Sequence, residues 1–259
     1  MRILLSNDDG ITAPGLAAMR AALEGLGEVT VVAPDSPQSA AGHAITVHAP
    51  LKVKRLTVPG AEAGKEFLGI SVDGRPADCV RLAIRMLLPQ PPELVVSGIN
   101  NGANVGINVF YSGTVAAAAE AAMFGIPAVA FSASNFAGPA DFVRAATLCR
   151  SMLDELLAGG LGKGDLLNVN IPALSAGNPK GVRTVPQSTA GIDDTYLTDT
   201  DAHGQEQYQL GGEYSFAPQP NTDVSALGDG YITVTPLHVD MTNHDRLISL
   251  ARRTWGPMV

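Results

Sequence analysis

At 259 residues the chain has the length of one large domain, and 46% hydrophobic against 16% charged residues supply a packed core rather than a disordered tail. A formal net charge of −8 excludes a protein that coats polyanions with a basic surface, so a nucleic-acid polymer is not an expected partner. A small anionic substrate stays possible, because a bound cation can set the local field whatever the global charge.

The first apolar run, RILLS at 2–6, predicts a buried strand, followed by a turn at Asn7-Asp8-Asp9-Gly10. Leu16, Met19, Leu23 and Leu26 recur at helical steps and predict a helix over 13–26, with Pro14 suited to its first turn. VTVVA at 29–33 is a second strand, and strand, helix, strand within about 33 residues is the length of a parallel βαβ unit. The alternation across 44–58 predicts hairpin strands, 67–72 a further strand and 76–88 a helix. ELVVS at 93–97 is again a buried strand, 98–113 a long Gly/Asn loop, 114–124 an Ala-rich helix, 128–132 a strand, 142–157 a helix and 166–171 a strand.

Through residue 171 this pattern predicts a doubly wound α/β sheet. From 172 to 230 the composition turns to Gly, Pro, Thr, Asp and Gln, with alternating pieces at 206–210 and 213–216 that predict a β-hairpin appendage. A last strand at 231–236 and a helix at 246–255 close the chain, so the expected organisation is a core over 1–171 and an extension over 172–259. Between Glu93 and Asp141 only Glu120 is charged, yet that stretch is too rich in Asn, Gly, Ser and Pro for a membrane span. The opening residues do not read as a secretory h-region. The expected location is the cytoplasm, with Cys79 and Cys149 as two buried thiols.

Ligands of an open α/β sheet bind beyond the carboxyl ends of its strands. After the first strand, Asp8 and Asp9 are adjacent carboxylates that need neutralising, by a hard divalent cation or, for one of them, by capping a helix. After the second, Ser39 is a candidate ligand and His43 a substrate-side or general-base candidate, competing with a plain loop histidine. No Gly-x-Ser-x-Gly elbow surrounds Ser39, which argues against a serine hydrolase. The third loop offers amide oxygens from Asn100, Asn101, Asn104 and Asn108 and ends in Ser112-Gly113-Thr114, where free N–H groups at a helix start suit a phosphate. It lacks the lysine of a Walker A loop. Carboxylates, a hydroxyl and amides beside such a cradle point to metal-assisted phosphoester hydrolysis.

MRILLSNDDG, VVAPDSPQSAAGHAIT at 31–46, VVSGINNGANVGINVFYSGTVAAA at 95–118, LNVNIP at 167–172 and YITVTPLHVDMT at 231–242 together resemble the SurE family of metal-dependent 5′/3′-nucleotidases. The resemblance implies a Rossmann-like core with a β-hairpin extension and an exchanged C-terminal segment, assembled as a homodimer or homotetramer. It implies release of phosphate from nucleoside 5′- and 3′-monophosphates and, in some members, cleavage of short polyphosphate. By motif, one divalent cation per subunit, Mg²⁺ or Mn²⁺ with Ca²⁺ possible in a crystal, would be held by the catalytic pair Asp8 and Asp9 with Ser39 and Asn100. Asn104, Ser112, Gly113 and Thr114, with His43, would line the phosphate and substrate pocket. Two positions depart from the pattern: Ala40 stands where the family usually has Gly, and Asn108 where it often has Asp.

Two other readings compete. A non-catalytic nucleotide or phosphate sensor would bind without turnover. A phosphatase forming an aspartyl-phosphate needs two aspartates flanking one residue, and Asn7-Asp8-Asp9 puts Asn in the nucleophile position. His238 and Asp240 alternate past Val239 and would face one side of an extended arm, where a conformational or interface role is the expectation, and Trp255 is expected to anchor packing.

Overall fold

The computed structural model describes residues 1–135, 141–190, 192–216 and 219–256. In chain order the core contains β1 (Arg2–Ser6), α1 (Pro14–Ala22), β2 (Glu28–Pro34), β3 (Val53–Pro59), β4 (Glu66–Val72), α2 (Pro76–Leu82), β5 (Leu94–Asn101), α3 (Gly113–Met123), β6 (Ala128–Ala133), α4 (Phe142–Gly159) and β7 (Leu166–Ile171). There follow β8 (Val182–Thr184), β9 (Ile192–Thr200), β10 (Glu206–Phe216), α5 (Asp223–Gly228), β11 (Ile232–Leu237) and α6 (His244–Ala251).

Among the described residues nine strands form one sheet in the order β3-β4-β2-β1-β5-β6-β7-β11-β8. From β4 to β7 every neighbour is parallel, while β3 and β11 run antiparallel to β4 and β7. The apolar runs of the central strands are fully buried because helices cover both faces. Ile3 and Leu5 of β1 join the cluster containing Leu16 and Met19 of α1 and Cys149 and Leu153 of α4. Leu4 joins the opposite cluster, with Val80 of α2 and Ala117 and Ala121 of α3. Each such burial stabilises the fold by roughly 2 kcal/mol, so the alternation along β1 holds both layers in place. The chain leaves β1 toward β2 and β4 and returns on its other side as β5, which makes the β1/β5 boundary the topological switch point. Gly15, in the first turn of α1, permits close approach there: a Cβ would stand 2.1 Å from the Ile99 carbonyl oxygen.

The doubly wound sheet and the hairpin are as the sequence predicts; several details differ. Of the alternating stretch only the part from Val53 on pairs, as β3 against β4, and residues 44–52 form no strand. That segment is instead tied to α2, Thr46 donating from its amide and hydroxyl to Asp78 at 2.9 and 2.7 Å. The strand after Glu93 runs on to Asn101, with a register shift between Ser97 and Asn100, so Asn100 and Asn101 stand at a strand end rather than in a free loop. Residues 172–259 contribute β8 and β11 to the main sheet as well as the separate β9–β10 hairpin. The two alternating pieces at 206–210 and 213–216 are one strand, β10, with an irregular register between Gly211 and Ser215.

α6 begins at His244 because Asn243 caps it, its side-chain oxygen accepting from the Arg246 amide at 2.8 Å. None of its residues is buried. Trp255 lies beyond this helix and is exposed, with the Arg253 guanidinium 4.8 Å from its ring centre, so within this chain it anchors no packing. Asp240 pairs with His244 at 2.8 Å, one helical turn on, rather than with His238. Hydrogen bonds from Thr242 and His244 hold its carboxyl down at about 2. Cys79 and Cys149 are free and buried, and burial pushes both thiols up. No described helix is long and apolar enough to cross a membrane.

Candidate metal and phosphate site

The site is built at the carboxyl end of β1. Asn7 is buried and donates from its side-chain amide to the Gly10 carbonyl at 3.0 Å, closing the turn that carries the two aspartates. Asp8 is 6% exposed. Burial raises its carboxyl to about 6; a hydrogen bond from Thr114 opposes this, and the neighbouring charge of Asp9 adds to it. The donor is the Thr114 hydroxyl, which reaches Asp8 Oδ1 from the first turn of α3. Asp9 is also raised by burial, against a hydrogen bond from the Asn101 amide to its Oδ2 at 3.1 Å. Among the described residues neither carboxylate has a basic ion-pair partner.

α3 meets Asp8 through Gly113. A Cβ on Gly113 would stand 2.7 Å from the Asp8 Cβ and 3.0 Å from its Oδ2. Ser112 is the N-cap, its hydroxyl oxygen accepting from the Val115 amide at 3.1 Å. The cap leaves Gly113, ahead of it in the first turn, with an N–H that no intrahelical carbonyl can take, and the helix dipole adds positive potential there. Asp8 therefore sits between the sheet and an anion-favouring helix start.

The loop after β2 is fastened to the same place. The Gln38 amide donates to the Asp8 carbonyl at 2.8 Å, the Ala41 amide to Gln38 at 3.2 Å and the Gly42 amide to Tyr111 at 2.9 Å. Ser39 is exposed at this bend. Ala40, where the resembled family usually has Gly, adopts φ +55, the left-handed region that costs an L side chain about 1 kcal/mol. Ala40→Gly is accordingly expected to stabilise the protein by about 0.5 kcal/mol, after the extra freedom of Gly in the unfolded chain is subtracted. Denaturant titration of the two proteins checks this, and a lower midpoint for the variant would refute it.

Asn100 is half-buried at the end of β5, and its amide nitrogen donates to the Gly102 carbonyl at 2.7 Å. That bond fixes the group with Oδ1 as its remaining acceptor. Asn104, expected to line the phosphate pocket, is buried in a polar network. Its side-chain nitrogen donates to Ser132 at 2.8 Å, its amide donates to Asn170 at 2.8 Å, and its carbonyl accepts from Asn168 at 2.7 Å and Asn170 at 3.2 Å. It anchors the third loop to β6 and β7. Asn108 lies in a short 3₁₀ turn, and its carbonyl accepts from Tyr111 and Ser112 at 3.0 and 3.1 Å.

Three features were not singled out from the sequence as site residues. Glu120, 1% exposed on α3, holds His43 at 2.8 Å and Arg81 of α2 at 2.7 Å, so His43 is tied to a buried carboxylate. Buried Asp223 accepts from the amides of Gly106, Ser188 and Val224 at 2.8–2.9 Å, although burial still raises its carboxyl. Gln187 donates to the Gly106 carbonyl at 2.8 Å, so both polar groups of Gly106 are clamped by the chain flanking the hairpin.

A buried carboxylate and its half-buried neighbour, without a counter-charge among the described residues and next to amide and hydroxyl oxygens, are a donor set that fits a hard divalent cation. The described residues contain no group of three or more His, Cys, Asp or Glu placed to hold a metal, so neutral oxygens would have to complete the shell.

The profile of the family described as "Survival protein SurE" matches residues 3–194. The chain belongs to the SurE family. It is 47% identical over 263 residues to "5'-nucleotidase SurE" of Symbiobacterium thermophilum, covering 98% of each chain. It is 43% identical to the protein of the same name from Carboxydothermus hydrogenoformans, covering 98% of this chain and 96% of the relative. The crystal structure of the SurE protein from Aquifex aeolicus superposes with a TM-score of 0.79 at 38% identity, covering 96% and 98% of the two chains. The SurE match begins at Ile3, so it includes the two aspartates, the Ser39 bend and the Ser112-Gly113-Thr114 helix start.

Proposed function

We propose that this chain is a divalent-cation-dependent nucleotidase that releases phosphate from nucleoside 5′- and 3′-monophosphates. The observation that carries the reading is the contact between Asp8, a buried acid without a cationic partner among the described residues, and Thr114 at the start of α3. It brings a place for positive charge and a place for phosphate within one residue of each other. Relatives named 5′-nucleotidase at 42–47% identity over nearly the whole chain support the same activity.

Asp8, Asp9, Ser39 and Asn100 would hold the ion, Mg²⁺ or Mn²⁺. When bound, such an ion polarises a phosphoryl oxygen and lowers the pKa of a coordinated water. The chain's own part is positioning. The Gly113 amide and the Ser112–Thr114 turn present donors to the equatorial phosphoryl oxygens, the α3 dipole favours their charge, and Asn101 and Thr114 orient the two carboxylates. His43, held by Glu120, would serve on the substrate side of the second loop.

The active assembly in this reading is a homodimer or homotetramer. α6 buries none of its residues, and eight residues do not sustain a helix alone in water, so Leu247 and Ile248 call for a second copy. The exposed Tyr196, Leu197, Tyr208 and Leu210 of the hairpin offer a further apolar surface. Short polyphosphate as an additional substrate and a cytoplasmic location complete the proposal.

The test is phosphate release from a panel of 5′- and 3′-monophosphates after chelation, with Mg²⁺, Mn²⁺ or Ca²⁺ restored singly. Turnover that returns with one of the ions is expected. Folded protein that binds nucleotide without turnover under every ion would replace this reading with a sensor.

A further inference from the structure

A cavity of about 330 Å³ opens beside Asp9 at the same end of the sheet, within the size range of small-molecule sites. Asp9 and Asn101 border it on the β1/β5 side, Thr12 on the α1 side, Asp35 and Pro37 on the side of the loop after β2, and Phe142 at the start of α4. Asp8 does not line it. The cavity and the α3 helix start therefore flank the aspartate pair from different elements.

The chemistry of the lining decides which end of a substrate it takes. With Asp9 given to the cation, Asp35 remains as a carboxylate without a counter-charge, and among the described residues no cationic side chain lines the cavity, so it disfavours a phosphate. An aromatic ring and two prolines, Pro14 and Pro37, supply apolar surface, and Thr12 and Asn101 supply neutral polar groups. Asp35 directly follows β2 and is exposed. Its amide is fixed to the Val72 carbonyl at 2.9 Å, and Oδ1 accepts from the Ser36 hydroxyl at 3.0 Å. A carboxylate just past the second strand of a doubly wound sheet is placed where such folds accept hydrogen bonds from ribose hydroxyls.

We infer that this cavity is the nucleoside subsite, with Asp35 accepting from the ribose hydroxyls and Phe142 contacting the base, an inference that rests on the nucleotidase reading above. The substrate then lies across the aspartate pair, its phosphate toward α3 and its sugar and base toward α4. Asp35 becomes a determinant of preference for ribonucleotides over 2′-deoxyribonucleotides.

The direct test is calorimetric binding of adenosine and 2′-deoxyadenosine, which requires no turnover. The wild-type protein is expected to bind adenosine about tenfold more tightly, the effect of one hydrogen bond to a charged acceptor. Asp35→Ala should bring the two affinities within about twofold of each other. Phe142→Leu, which keeps an apolar side chain against Gly15, should weaken both nucleosides about fivefold and retain the preference. Equal affinities in the wild type, no nucleoside binding, or a preference that survives Asp35→Ala would overturn the inference. Phosphate release from phenyl phosphate separates the two levels. A wild type that hydrolyses no ester under any ion fails as a nucleotidase, whereas an active wild type without the ribose preference fails only here.

Discussion

Asp8→Asn is expected to lower phosphate release at least a thousandfold while making the chelated protein more stable at neutral pH. The two effects have one origin. Asp8 is 6% exposed, and its carboxyl is raised from 3.8 to about 6, first by burial. A carboxyl raised in the fold favours the protonated state there, so its ionised form works against folding. The penalty is absent below pH 3.8, grows between about 4 and 6, and is complete above 6. A shift of this size corresponds to about 3 kcal/mol. Asn keeps the shape and an oxygen that can accept from Thr114, yet carries no charge. The stability gain should therefore approach about 3 kcal/mol at pH 8 and vanish near pH 4. Denaturant titration in chelator at pH 4, 6 and 8 measures it, alongside phosphate release with cation restored. Retained turnover would remove Asp8 from the catalytic site. A gain independent of pH would show that its charge is not what strains the fold.

The same tension explains which parts of this protein are legible in its sequence. The strands of the core are apolar runs closed by turn residues, and burial on both faces leaves little else for ILLS, VTVVA or LVVS to become. The aspartate pair stands out because two acids at the mouth of a buried strand conflict with local hydrophobicity. Contacts between distant segments carry no such mark. Glu120 is visible as the lone charge between Glu93 and Asp141, but nothing local says that it meets Arg81, 39 residues before it, and His43, 77 before it. The resemblance implies a place for Asn104 beside the phosphate, and its side-chain amide meets Ser132, while Asn168 and Asn170 on a core strand hold its backbone. Those two asparagines in the LNVNI strand were a signal for a buried polar network, and their partner could not be read from spacing. The irregular course of 44–52 was hidden for a related reason, since alternation predicts a strand without naming its partner, and Thr46 meets Asp78, 32 residues on.

Gly113→Ala tests the junction between the two halves of the site. A methyl group at this position would stand 2.7 Å from the Asp8 Cβ, 3.0 Å from Asp8 Oδ2 and 3.0 Å from Pro76 Cγ. The first distance is shorter than real carbon contacts allow, and neither neighbour is the free end of a flexible chain. Asp8 belongs to the strand turn and Pro76 opens α2, so the strain must be relieved by moving α3 or rotating the Asp8 carboxylate. Alanine otherwise suits a helix better than glycine, by about 1 kcal/mol, which offsets part of the steric cost. The net loss of stability is therefore expected to be only about 1–2 kcal/mol. Function responds more steeply, because a displacement near 1 Å between positioned groups costs about a hundredfold in rate. The variant should fold, show a thermal midpoint a few degrees lower, and release phosphate about a hundredfold more slowly, with a weaker cation requirement curve because Asp8 is displaced. A variant that keeps wild-type turnover would mean that α3 and Asp8 are not jointly positioned. Loss of folding would mean that the α2–α3 contact, rather than the site, is what this glycine protects. A circular-dichroism melt run beside the phosphate assay separates these outcomes.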